Sequence, residues 1–318
     1  MVYGGILVAL LFVPLWAPTY QLMLFESGLC FAIMGLGFNL LLRYTGILSF
    51  GHGAYFAAGA YTVGMIGRYW PQLYHIEILI PAGLAGALFV SAVFGFISVR
   101  HTRIFFSILT LALSMLLFAL LLKLYNITGG SDGIHTAIPK MLGHTFRGVR
   151  RYQYLSGVYY YFLLGFFVLA TVVMLGIVNS PFGKALQAIR DNEVRAEMIG
   201  IRVKRYRWLA FMVSGVFTGL AGALWSFVNG HVTPEISDWV FSGEIVYMTL
   251  LGGFTVFEGP IVGAVLYTFL KLYAIGLTEY WMLIIGATLI ALVLLLPGGL
   301  VGGAQTLIQR LRLHGLRG

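Results

Sequence analysis

SPFGKALQAIRDNEVRAEMIGI, residues 180–201, decides how the rest of the chain is read, because it is charged where its surroundings are oily. Lys184, Arg190, Asp191, Glu193, Arg195 and Glu197 crowd a stretch flanked by apolar runs. Over the 318 residues, 59% are hydrophobic and only 10% charged, against roughly 25% charged in a soluble domain. That is the balance of a polytopic membrane protein. The net charge of +9 is better explained by basic loops beside a membrane than by nucleic-acid binding.

A bilayer core of about 30 Å takes about 20 apolar residues in helix. Ten apolar runs fit that ruler, near 2–17, 22–42, 46–66, 78–98, 104–122, 155–178, 208–229, 241–256, 260–276 and 282–297. The expected fold is therefore all-α, one transmembrane domain over 1–318. Its long loops are 123–154 and 179–207. The N-terminal run lacks a basic leader and a cleavage site, so it reads as a first membrane segment and not a removed signal.

Lys and Arg favour the cytoplasmic side of short loops. With 179–207 inside, Arg43, Arg100, His101 and Arg103 fall inside as well. Arg310, Arg312 and Arg317 join them only if 241–276 crosses twice, turning at Glu258, Gly259 and Pro260. Both termini are then cytoplasmic. Loop 123–154 falls outside despite Lys123, Lys140, Arg147, Arg150 and Arg151, and a basic outer face suits an acidic partner.

Gly215 with Gly219 and Gly259 with Gly263 stand at a spacing that lets helix backbones approach closely. No GxxxxGK[ST] loop, HExxH helix or GxSxG elbow occurs, so no nucleotide site, metal site or catalytic residue is expected in this chain. The seven histidines, His52 among them, show no metal-ligand spacing. Cys30 stands alone, which excludes an internal disulfide. Glu26 and Glu244 are the carboxylates that could couple an ion, but both lie near segment ends.

Within 180–201, Ser180 can cap a helix and Pro181 can occupy its first position, with Gly200 closing about nineteen residues, about 28 Å of helix. The apolar spacing is imperfect, so two short helices at an angle fit as well as one. A loop serving only to orient the chain would not need Ala188, Ala196 and Gly200, which suit close docking.

This stretch resembles the cytoplasmic loop of bacterial ABC importer permeases of the branched-chain amino acid class, in particular the LivM-type subunit. GFNLLLRYTGILSFGHGAYFAAGAYT at 37–62, TGGSDGI at 128–134, SGEIVYMTLLGGFTVFEGPIVGA at 242–264 and PGGLVG at 297–302 are similar to further signatures of that family, in the same order. The resemblance implies that Arg190, Asp191, Asn192, Glu193, Arg195, Ala196 and Gly200 lie at or near a contact with an ATPase. It also implies a second, LivH-like permease, two cytoplasmic ATPase subunits that bind the ATP, an external solute-binding protein, and residence in the bacterial inner membrane. The cargo is less legible, because Ile47, Arg43 and the LGGFTVFEGP turn depart from the family's usual pattern. Branched-chain amino acids, urea or short amides, and aromatic carboxylates all stay open.

SFGHGAYFAAG is too rich in glycine for a lipid-facing helix, each interior glycine costing about 1 kcal/mol relative to alanine. Irregular backbone at membrane depth is tolerated where it is buried or lines a cavity. Ser49, Phe50, His52 and Tyr55 are therefore expected along or beside the translocation path, Asn39 of the resembling signature at 37–62 is placed with them, and Gly252 and Gly253 stand either beside it or let two helices cross. For His52 the alternative is a packing histidine. Arg147, Arg150 and Arg151 are the candidate surface for a binding protein. A secondary transporter or a channel would need no ATPase-docking helix.

Overall fold

The computed structural model describes residues 10–14, 17–100, 104–141, 143–144, 150–296 and 298–306. His101, Arg103, Arg147, Pro297, Arg310, Arg312 and Arg317, with most of the run 2–17, lie outside the described residues.

The chain is an all-α, multi-span membrane protein. Among the described residues, seven helical stretches are long and apolar enough to cross a bilayer. The helices used below are α1 (Thr19–Asn39), α2 (His52–Tyr69), α3 (Ile76–Ser98), α4 (Ile104–Lys123), α5 (Tyr160–Asn179), α6 (Pro181–Asp191), α7 (Glu193–Met198), α8 (Val203–Asn229), α9 (Trp239–Gly252), α10 (Gly259–Leu277) and α11 (Trp281–Leu295). Helix α1 runs on into a π-helical turn, Leu40–Thr45. A two-residue ladder, β1 (Ile134–His135) against β2 (His231–Val232), pairs antiparallel. The end of the molecule bearing this ladder is called the hairpin end, and the opposite one, bearing α6 and α7, the charged end.

Helices α1, α2 and α8 form the centre. In the α1 and α8 spans 78% and 72% of the best apolar window is buried, against 22% in α4. Small residues make that centre possible. A Cβ on Gly59 of α2 would fall on the Gly219 carbonyl of α8, and one on Gly222 would fall on the Phe56 carbonyl. The backbones therefore touch, which is the internal-packing use of a small-residue stripe.

Two of the expected apolar runs are not plain helices. The run 46–66 begins as six non-helical residues, and helix starts only at His52. The run 241–256 is a 14-residue helix, α9, about 21 Å long and too short for a 30 Å core. Residues 233–238 lead down to it from the hairpin end. The turn expected at Glu258–Pro260 occupies 253–258, and Pro260 is the second residue of α10.

Candidate functional site

Three places hold the residues singled out by the sequence. At the charged end, 180–201 is two helices and not one. Ser180 accepts from the Gly183 amide at 3.4 Å with Pro181 behind it. Asn192 is extended (φ −161°) and caps α7 by accepting from the Arg195 amide at 2.9 Å. The break at Asn192 tips α7 back onto α8, where Arg207 donates through both terminal nitrogens to both oxygens of Glu193, each at 2.8 Å. Two parallel charge-assisted bonds fix orientation as well as distance. Arg190 reaches the other way: it chelates Asp191 and donates to the Arg43 carbonyl at 2.7 Å. Its side chain crosses the face of Gly46 (φ +72°), where a Cβ would stand 2.7 Å from Arg190 Cγ. A cleft between Thr45–Ile47 and Ile189–Val194 opens there, with Arg207 at its floor.

The seven residues expected at an ATPase contact therefore separate. Arg190, Asp191, Asn192, Arg195 and Gly200 are exposed; Ala196 is buried, and Glu193 is half-exposed and held by the buried Arg207. Three side chains outside that set face outward: Val194, Met198 and Ile199, at 62%, 81% and 71% exposure. An apolar cluster on a charged knuckle marks an interaction surface. Their mixture with charges was visible in the sequence, but which of them face outward depends on the break at Asn192.

The glycine-rich break, 46–51, opens at Gly46 into the cleft at the charged end and is buried at its centre, at Ile47, Ser49 and Gly51. Ser107 Oγ donates to the Leu48 carbonyl at 2.6 Å, and Thr110 Oγ1 accepts from the Phe50 amide at 3.2 Å. Asn39, Ser49, His52 and Tyr55 are all at most 2% exposed, and Phe50 is half-buried. His52 Nε2 lies 2.8 Å from Ser214 Oγ of α8, with Phe38 and Tyr55 edge-on to its ring at 5.0 and 5.7 Å. Gly252 and Gly253 are buried against Gly259 and Gly298–Gly299. All but Phe50 lie in packed interior.

At the hairpin end Arg150 is exposed, whereas Arg151 turns inward and donates to the carbonyls of Thr136, at 3.1 Å, and Phe227. Gly230 lies directly beneath that guanidinium. Arg151 thus ties the ladder to the end of α8. A pocket of about 520 Å³ beside the ladder is lined by Arg68, His135 and Lys140 among apolar neighbours. Burial pushes the phenol of Tyr74, on its wall, above the ordinary tyrosine range.

Both carboxylates weighed for ion coupling lie deeper than segment ends suggest. Glu26 is fully buried among the packed helices. Glu244 accepts from Lys271 Nζ of α10 at 2.5 Å, a pair that 27 residues of sequence separation hid.

Compared with known proteins, residues 21–293 match the family model described as branched-chain amino acid transport system / permease component. The chain is 30% identical over 291 residues to the high-affinity branched-chain amino acid transport system permease protein LivM of Salmonella typhimurium, covering 85% of this chain and 67% of that one. It is 28% identical, with the same coverage, to LivM of Escherichia coli K12. To LivH of E. coli K12 it is 22% identical, across 86% of this chain and 92% of that protein. No solved structure matches the chain. A family match spanning nearly every described helix, from α1 into α11, leaves one conclusion: this chain belongs to the permease family of branched-chain amino acid transport systems.

Proposed function

We propose that the chain is the membrane-spanning permease subunit of an ATP-driven ABC importer, carrying a branched-chain amino acid or a similar small solute inward. It has no ATPase site of its own. A second, LivH-like permease completes the pathway, two ATPases bind and hydrolyse ATP at the cytoplasmic face, and an external binding protein delivers cargo. The charged end is cytoplasmic and the hairpin end external, in a bacterial inner membrane crossed ten times, with both termini inside. The Salmonella and E. coli relatives carry branched-chain amino acid transport in their names, which supports that cargo over urea or aromatic acids.

The observation that carries this reading is the knuckle at α6–α7. It is anchored to two different helices, α8 through Glu193–Arg207 and the end of α1 through Arg190, while Val194, Met198 and Ile199 stand exposed. A lever must be fastened at its base and free at its tip. Movement of an ATPase holding the tip is then passed to two helices of the central three. Arg150, with Arg147, remains the candidate contact for the binding protein, while Arg151 acts as an internal tie.

The test is ATP-dependent uptake of leucine, urea and an aromatic acid in proteoliposomes holding this chain, its neighbouring permease and both ATPases. Met198→Asp with Val194→Asp should release the ATPases and lower leucine uptake about tenfold or more, since burying an unpaired charge at an interface costs several kcal/mol. Met198→Leu should behave as wild type. Uptake that needs neither ATP nor the ATPases would replace this reading with a secondary transporter or channel.

A further inference from the structure

We infer that residues 233–238 form a wall of the aqueous translocation path, with the carboxylates of Glu235 and Asp238 facing the passing solute and favouring one that carries a cationic ammonium group.

The depth of this segment is fixed by its neighbours. Ser114 Oγ donates to the Ser237 carbonyl at 2.8 Å, and Ser114 is the eleventh residue of the twenty in α4, about 15 Å from either end of that helix. The start of α2 touches the same segment from the other side. The Gly53 amide donates to Ser242 Oγ at 3.0 Å, and a Cβ on Gly53 would meet the Ile236 and Asp238 carbonyls at 3.0 and 3.3 Å. Glu235 lies within electrostatic reach of Tyr61, in the middle of α2. The six residues from Val232 to Ser237 thus descend from the external ladder to mid-membrane, where α9 begins.

At that depth the segment is not sealed. Glu235 is exposed and Asp238 half-exposed, although Ile236 and Ser237 between them are buried. Asp238 also accepts from the Trp239 amide at 2.7 Å; among the described residues neither carboxylate has a cationic partner. The outward face of α4 is apolar, with Ile104, Phe105, Ile108 and Leu116 more than half exposed. Lipid can cover those side chains. It cannot cover two carboxylates and a turn of irregular backbone, which at membrane depth must be buried in protein or stand in water. Two negative charges in a narrow aqueous passage raise the local concentration of cations.

This inference rests on the permease reading, and thiol labelling separates the two because it needs no transport. With Cys30→Ala, once shown to transport, the chain has no cysteine, and Glu235→Cys, Ile108→Cys and the external reference Ser131→Cys can be compared in the assembled importer. Glu235→Cys should react with a membrane-impermeant cationic methanethiosulfonate about tenfold faster than Ile108→Cys, and should prefer it over the anionic reagent more strongly than Ser131→Cys does, through the field of the remaining Asp238. Labelling at Glu235→Cys no faster than at Ile108→Cys would overturn the proposal, and the segment would then face lipid or a partner's cation. As a second readout, Glu235→Gln should raise the KM for leucine uptake several-fold with little change in kcat and ATPase association, as expected for weakened attraction of the ammonium group. An unchanged KM would remove the cargo-facing role.

Discussion

The chain interrupts its helices twice alongside α4, at 46–51 and at 233–238, and the two interruptions are closed differently. Both are held by one polar stripe on α4. Ser107 and Thr110 bind the first, and Ser114, one turn further on, binds the second. The first is hidden at its centre, where Ser49 and the following His52 have no exposed surface, and opens only at Gly46, at the charged end. The second buries its apolar residue and its serine but leaves Glu235 in the open. Irregular backbone therefore has two uses here. A glycine-rich break lets elements approach until its centre is buried, and an acid-bearing break leaves a carboxylate in the open.

The largest expected effect tests the buried centre of the first break. A Cβ on Gly51 would stand 2.7 Å from the Thr110 carbonyl, a backbone atom that cannot swing away. Gly51→Leu should cost more than about 3 kcal/mol by overpacking and leave no folded protein in a detergent-solubilised fluorescence assay. Glu235→Leu, at the open break, should accumulate as wild type in the same assay. If Gly51→Leu accumulates normally, the first break has room that the packing denies.

His52 comes next. Truncation to alanine removes a buried ring and leaves Ser214 Oγ without it, for about 2–3 kcal/mol. His52→Ala should lower the unfolding temperature of the solubilised complex, while uptake per folded complex stays near wild type. A normal unfolding temperature with lost uptake would return His52 to the translocation path and undo the contrast between the breaks.

A smaller loss follows at the second break. Ser114→Ala removes the donor to Ser237 without adding bulk at this buried site, leaving a carbonyl unmatched for about 1–2 kcal/mol. It should also make the thiol of Glu235→Cys react at a changed rate, because the segment loses its hold on α4. A labelling rate identical in both backgrounds would mean that Ser114 does not position the segment.

What was legible in the sequence follows the same division. The apolar runs stood out because a bilayer demands about 20 such residues in succession, and the charged stretch stood out against them. The glycines of 46–59 announced close approach. They could not say whether a backbone was approaching another backbone or a solute, and for Gly59 the neighbour is Gly219. Ser107, Thr110 and Ser114 passed as ordinary small polar residues in an apolar helix, because nothing in their spacing reveals which foreign backbone they bind. Residues 233–238 read as a loop between spans, since depth is not a property of local sequence. Arg207 likewise sat in the next helix, and only the break at Asn192 brings Glu193 back to it.

The smallest effect concerns the joint between the knuckle and the first break. Arg190 is 40% exposed as a side chain and bonds the Arg43 carbonyl across Gly46. Removing it should cost about 0.5 kcal/mol of stability, because water can replace an exposed hydrogen bond. Its effect on transport should be larger than its effect on stability. With Glu193–Arg207 intact the knuckle keeps its hold on α8, but Arg190→Ala severs its hold on the end of α1, so uptake should fall while ATPase association and unfolding temperature stay near wild type. Arg190→Lys can carry the charge but not chelate Asp191 and reach Arg43 together, so it should resemble alanine more than arginine. Loss of ATPase association in Arg190→Ala would instead put this residue at the tip of the lever and not at its base.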